Sequence, residues 1–318
     1  MAKAAGKAKA KSDGNTVVSA GHKIGQVVGD WWELQVVRPM LAEVANELGL
    51  FLDNRVVSNE KVLWPDAEGN LVDYDFVLEL RTEVGKRGVP VAFFESFWRR
   101  GARHSKDKAR DDTNKLLPMR STYPTARFLS IAASGEFTEP AREYVRSRLV
   151  ELLFIPKPNI IAAFGKLGMQ IDYPDNLPEE KKGAIGDALG VALEGKQKDV
   201  GDALRSIVGQ GAFSSYKTRV LSALTATPQS IVIRALRLSE PMTFVTVEEA
   251  TAFLEQPDPT FSFEDAEQEY TYEVTYSDGS DFSRQLGSMD EVKKLHTDLG
   301  MLVEHMRKVT AKRKAKAA

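Results

Sequence analysis

The chemistry this sequence offers gathers around two carboxylates, Asp75 and Glu95, with nineteen residues between them. Asp75 lies in the run VDYDFVLEL and Glu95 near the end of the run VAFFESFW. In an extended chain Val91, Phe93, Glu95 and Phe97 share one face, so Glu95 is a lone acid among aromatic rings. Such a placement is expensive unless the carboxylate is paired or bound to a metal. Asp73, Asp75, Val77 and Glu79 likewise share a face, where like charges repel and lose hydration. A bound divalent cation relieves that cost, and a solvent-facing edge strand avoids it. The basic stretch that follows holds Arg99, Arg100, Arg103, Lys106, Lys108 and Arg110 against Asp107, with His104 beside it. Acids on paired strands followed by a basic helix suggest a metal site that faces a polyanion.

Phosphodiester hydrolysis has those requirements. It needs an activated water, a stabilised pentacovalent state and a neutralised leaving oxygen, much of which carboxylate-held Mg²⁺ supplies. Hard oxygen donors select Mg²⁺, with Mn²⁺ as a substitute, and few protein ligands suffice because waters and phosphate complete the shell. A nearby Lys or Arg then neutralises developing charge. Asp75, Glu95 and one cation from the following helix fit this recipe.

The elements that must position these residues read as follows. Residues 24–50 have helical apolar spacing, with a kink or split expected at Pro39 and a stop at Gly49. Glu33 and Glu43 lie on this segment and could lean toward a site, although a solvated helix face explains each singly. Two strands joined by the turn at 66–70 follow, then VAFFESFW as a central strand with two apolar faces. A helix is expected over 103–117, ending at Pro118, with Ala102, Ala109, Thr113 and Leu116 packed on the sheet, Lys106 close to that face and Lys108 on a flank. Residues 126–134 read as a strand and 139–154 as a helix with Pro140 early. Beyond Pro156 the chain turns mostly helical to Leu224. Strands follow, then a short helix over EEATAFLEQ, a hairpin with Asp278-Gly279 at its turn, and a closing amphipathic helix.

Composition sets the bounds. At 318 residues, 42% apolar and 28% charged, the chain can bury a sizeable core. No run is long and apolar enough to span a membrane. The absence of Cys excludes disulfides and thiolate metal sites and fits a reducing cytoplasm. Four Lys in residues 1–11 and six Lys or Arg in 307–318 leave 33 basic against 45 acidic residues for the body, which is therefore about −12. Basic tails on an acidic body suit loose phosphate contacts, and equally suit plain soluble ends. Walker, GxGxxG and HExxH patterns are absent, so no nucleotide cofactor is expected, and the scattered His22, His104, His296 and His305 make a His-rich zinc site improbable.

The order helix, strand, strand with Asp, strand with Glu, basic helix, strand resembles the core of the PD-(D/E)XK nuclease superfamily. DYDFVLEL followed by GVPVAFFESFWRRGARHSKDKARDD is similar to a group of bacterial type II restriction endonucleases. The resemblance spans roughly residues 24–135. It implies an α/β (α+β) fold with a restriction-endonuclease-like core, a mixed central sheet flanked by helices, and a helical and β-hairpin C-terminal part. The expected divisions are a disordered basic tail at 1–20, a nuclease core at 21–155, a part for DNA recognition or dimerisation at 156–306 and a basic tail at 307–318.

By this resemblance Asp75 and Glu95 bind the catalytic Mg²⁺, with Asp73 a lesser candidate. The family lysine belongs two residues after the Glu, where this chain has Phe97, so the cation falls to Lys108, Lys106 or Arg99. Arg100, Arg103, His104 and Arg110 are the expected DNA contacts. A second register, Asp66 with Glu79-Leu80-Arg81, keeps the letters but sets its Asp in a turn. The expectation is a prokaryotic, cytoplasmic, homodimeric endonuclease acting on double-stranded DNA. The alternatives are a catalytically inactive DNA-binding protein with the same fold, or an interaction protein whose acidic strand is simply an edge.

Overall fold

Residue Glu95 lies on the longest described strand, and the rest of the fold builds out from that strand. The computed structural model describes residues 20–55, 60–81, 83, 86–236, 240–256 and 269–317. All but the last residue of the expected 1–20 tail lies outside them. The strands of the first half are Phe51–Asn54 (β1), Val62–Pro65 (β2), Leu71–Tyr74 (β3), Phe76–Leu80 (β4), Val89–Arg99 (β5), Phe128–Gly135 (β6) and Glu151–Pro156 (β7). A five-stranded mixed sheet has the order β1-β4-β5-β6-β7. Its β1–β4 and β4–β5 pairs are antiparallel, whereas β5–β6 and β6–β7 are parallel. β2 and β3 form a separate two-stranded ribbon.

The sheet is covered on both faces, as its continuous apolar strands require. On one face lie Ala20–Trp31 (α1), the π-helical stretch Trp32–Val37 and Arg38–Leu48 (α2). Phe94 and Trp98 of β5 point to this side. On the other face lie Ser105–Thr122 (α3) and Glu139–Ser147 (α4), packed over Phe93 and Phe97. Lys157–Gly165 (α5), Glu179–Leu193 (α6), Gln197–Val208 (α7) and Gln210–Thr225 (α8) join the apolar cluster of α1 and α2. No change of core accompanies the change of character at Pro156.

A second sheet, in the order β11-β10-β8-β9, uses Pro228–Ala235 (β8), Met242–Phe244 (β9), Tyr270–Tyr276 (β10) and Asp281–Leu286 (β11). It shares its own apolar cluster with Val247–Glu255 (α9) and Met289–Ala317 (α10). The hairpin turn falls at Asp278-Gly279 as expected, with Gly279 at φ 81. α10 carries helix on through the basic segment after Met306. No helix among the described residues is long and apolar enough to cross a membrane.

Several local expectations are corrected. The helix does not break at Pro39: Val37 and Arg38 before it keep helical φ and ψ, and the irregularity is the π stretch that precedes it. β1, unread in the sequence, pairs with β4. The acid-bearing strand is two strands, separated at Asp75. Between Leu78 and Glu79 the β4–β5 register shifts, so Val91 joins the α1 side instead of sharing a face with Phe93. α3 continues through Pro118 to Thr122; the carbonyl that proline leaves without a donor belongs to exposed Asn114 and can be solvated. Residues 151–156 are strand, not helix, because Leu149 adopts a left-handed φ of 56 and Val150 N–H reaches back to the Val145 carbonyl, closing α4.

Candidate functional site

The β4–β5 ladder ends with Phe76 opposite Phe94. Asp75 lies in the bend just before this last pair, near enough to Glu95 that its charge is felt there. Because the chain bends at Asp75, its carboxylate turns back onto β5, where Oδ2 accepts from the Ser96 N–H at 2.7 Å and lies 3.4 Å from Ser96 Oγ. Ser96 is thus a clamp on Asp75, a role its position on the strand did not announce.

Glu95 is 2% exposed. Its Oε1 accepts from Lys115 Nζ at 2.6 Å. Burial, and then the negative charges of Asp75 and Asp112, push its carboxyl up to about 8, although Lys115 pulls the other way. Burial, and then the charge of Glu95, hold the pKa of the Tyr74 phenol well above its ordinary value, and its hydroxyl donates to the Lys115 carbonyl at 2.6 Å. That bond fixes α3 against the strand that leads into Asp75.

Glu33 comes from the opposite face. It lies in the π stretch, whose register is anchored by the buried Trp32 indole donating to the Ala132 carbonyl at 3.0 Å. Burial, then Asp75 and Asp30, raise Glu33 to about 7. π turns inside α-helices recur at functional sites, and this one brings a third carboxylate within electrostatic reach of Asp75.

The structure sorts the residues expected from sequence. Asp75 and Glu95 come together. Lys108 enters the neighbourhood indirectly, donating to Asp112 Oδ1 at 2.7 Å with its ammonium 5.3 Å from the Phe97 ring centroid. Lys106 is exposed, not close to the packed face, because that face runs through Ala109, Asp112, Thr113, Leu116 and Met119. Asp73 pairs with Arg55 at 2.9 Å and Lys61 at 3.7 Å. Glu79 is fully buried against Arg81 and the Gly88 N–H, and Asp66 caps its own turn through Asn70.

Glu43 is exposed and accepts from Lys217. Arg99 is half-buried on the Glu95 face of β5, toward its end. Of the expected DNA contacts, Arg100 is tied to Asp172, Asp175 and the Tyr173 carbonyl. Arg103 is exposed, and His104 and Arg110 both lean on Asp107, at 3.2 and 3.0 Å.

Lys115 was missed. Its signal is the seven-residue step from Lys108, two helical turns, which returns a side chain to the same stripe of α3.

Among the described residues no group of three or more His, Cys, Asp or Glu side chains is arranged to hold a metal ion. The donor set at Asp75 and Glu95 is a pair of hard carboxylates, which suits Mg²⁺ because that ion retains several waters. A cation between them would also offset the repulsion from Asp75 that adds to burial in raising Glu95. Comparison with family models, with curated proteins and with solved structures gave no match.

Proposed function

We propose that this protein is a divalent-metal-dependent DNA endonuclease with a restriction-endonuclease-like core. The observation that carries the reading is the contact between Lys115 Nζ and Glu95 Oε1 at 2.6 Å, beside Asp75. It supplies from α3 the cation that Phe97 does not supply from β5. The strand order and the nearness of Asp75 to Glu95 agree with the same reading.

Asp75 and Glu95 would hold Mg²⁺, which supplies Lewis-acid stabilisation of the phosphoryl oxygens and a more acidic bound water. Ser96 keeps Asp75 turned toward β5, and Tyr74 keeps α3 in place. The Lys115 ammonium neutralises charge on the scissile phosphate and orients the attacking water. Arg103, His104, Lys106 and Arg110 lie exposed at the start of α3, where they can contact neighbouring phosphates. Cleavage of both strands of a duplex calls for two copies of the site, hence a homodimer.

The test is incubation of plasmid DNA with Mg²⁺ or Mn²⁺. Discrete fragments from the wild type, lost in D75N, E95Q and K115M while salt-dependent DNA binding persists, are expected. Absence of cutting with any divalent metal would sink the reading.

A further inference from the structure

Beside the Lys115–Glu95 pair lies a carboxylate that the proposed chemistry does not use. Asp112 is 1% exposed. Its Oδ1 is taken by Lys108 at 2.7 Å, and its Oδ2 is buried without any hydrogen-bond partner. A buried carboxylate oxygen left without a donor bears its desolvation penalty uncompensated, so its retention calls for a donor that arrives at some stage.

Asp112 precedes Lys115 by three residues on α3, a spacing at which side chains are neighbours. Electrostatics agree with the placement. Asp112 feels the charges of Lys108 and Lys115 as favourable and that of Asp75 as unfavourable, and Glu95 in turn feels Asp112. Burial keeps its carboxyl above the ordinary range despite the two lysines. Meanwhile the Lys115 ammonium has three protons, of which one is spent on Glu95. The spare donor and the missing donor therefore lie on one helical stripe.

We infer that Asp112 is a second seat for the Lys115 ammonium, receiving it on Oδ2 when Glu95 is drawn away to a metal ion. This rests on the nuclease reading of the same site and makes Asp112 a positioning residue, which acts through Lys115. Without it, the lysine released by Glu95 would swing toward solvent and leave the phosphate. With it, the ammonium shifts only from one carboxylate to the next and stays charged within the site. Lys108 holds the other oxygen of Asp112 and so aims Oδ2.

The transfer can be tested without metal or DNA, in E95Q, which removes the competing charge and leaves Asp112 native. A crystal structure of E95Q is expected to place Lys115 Nζ within about 3.2 Å of Asp112 Oδ2. Its ¹⁵N-labelled ammonium resonance should remain protected from water exchange, and that protection should vanish in E95Q/D112N. An ammonium that stays on Gln at position 95, or turns to solvent in E95Q, overturns the inference. In cleavage assays D112N is expected to lower kcat on the order of 10²-fold with unchanged KM and unchanged Mn²⁺ affinity, and D112E to restore part of it. Wild-type-like kcat in D112N also overturns it. A wild-type protein that cuts no DNA defeats the nuclease reading instead, and the E95Q structure still decides whether Asp112 takes the ammonium.

Discussion

Glu95 and His296 are both polar groups shut into a core, Glu95 on the first sheet and His296 on α10 against the second, and they are treated in opposite ways. His296, 3% exposed, has each ring nitrogen matched: Thr251 Oγ1 lies 2.8 Å from Nε2 and the Tyr272 hydroxyl 2.9 Å from Nδ1. Burial lowers its pKa from the ordinary value. Glu95 has one lysine and two anionic neighbours, with Asp112 beside it short of a donor. The His296 network closes on itself and serves stability. The Glu95 network instead leaves Asp112 Oδ2 without a hydrogen-bond partner, and internal closure is what separates the two.

Breaking each network should therefore produce different losses. The largest effect is expected at Asp75 and Glu95. D75N and E95Q should cut plasmid DNA at least about 10³-fold more slowly, since a metal ion's charge stabilisation amounts to several kcal/mol. Both should fold, as circular dichroism would verify. K115M should follow closely. K106A should keep full activity because Lys106 is exposed, and K108A should fall between them because Lys108 acts through Asp112. Equal rates for K106A and K108A would contradict the assignment.

H296L should do the reverse. It strands the buried Tyr272 hydroxyl, whereas Thr251 keeps its donation to the Val247 carbonyl, and is expected to cost about 1–3 kcal/mol in urea denaturation, while the folded fraction cleaves normally.

A subtler contrast concerns pH and metal. Protons and Mg²⁺ compete for Glu95, whose carboxyl is pushed up to about 8. The thermal stabilisation given by Mg²⁺, about 2.7 kcal/mol at a hundredfold excess over Kd, should be fuller near pH 9 than near pH 6 and absent in E95Q. The smallest effect belongs to Glu33, raised to about 7 from an ordinary 4.5. The unfolded chain ionises first, so wild-type stability declines as pH rises between those values and levels off above them. E33Q lacks that decline. Its melting temperature should match the wild type at about pH 4 and exceed it at about pH 8, as differential scanning fluorimetry can read.

How much of this was legible in the sequence depends on the range of the interactions. Asp75 and Glu95 stood out because strand alternation is local: a lone acid between Phe93 and Phe97 is visible from three residues. Lys115 shows in the sequence only as a seven-residue step from Lys108, because its partner is twenty residues away and the choice among the lysines of α3 depends on how the helix is rotated on the sheet. Lys106 lost that choice to Asp112 and Thr113, polar residues that the packing buries. The stop at Leu149 was hidden for another reason. A left-handed turn is normally marked by Gly or Asn, and leucine there gives no warning. The Val91 shift, likewise, exists only once β4 and β5 are paired.

The π stretch at Trp32–Val37 has a consequence for what the gene can tolerate. A π turn is an α-helix with a residue too many, and deletion of one residue from it would restore ordinary helical phase. Because the π turn absorbs its extra residue without turning its flanks, such a deletion leaves the apolar stripe of α2 on the core. What changes is the stretch itself, from which Trp32 donates to the Ala132 carbonyl and Glu33 reaches the field of Asp75. The helix therefore tolerates the loss of that residue, while the placement of Glu33 does not.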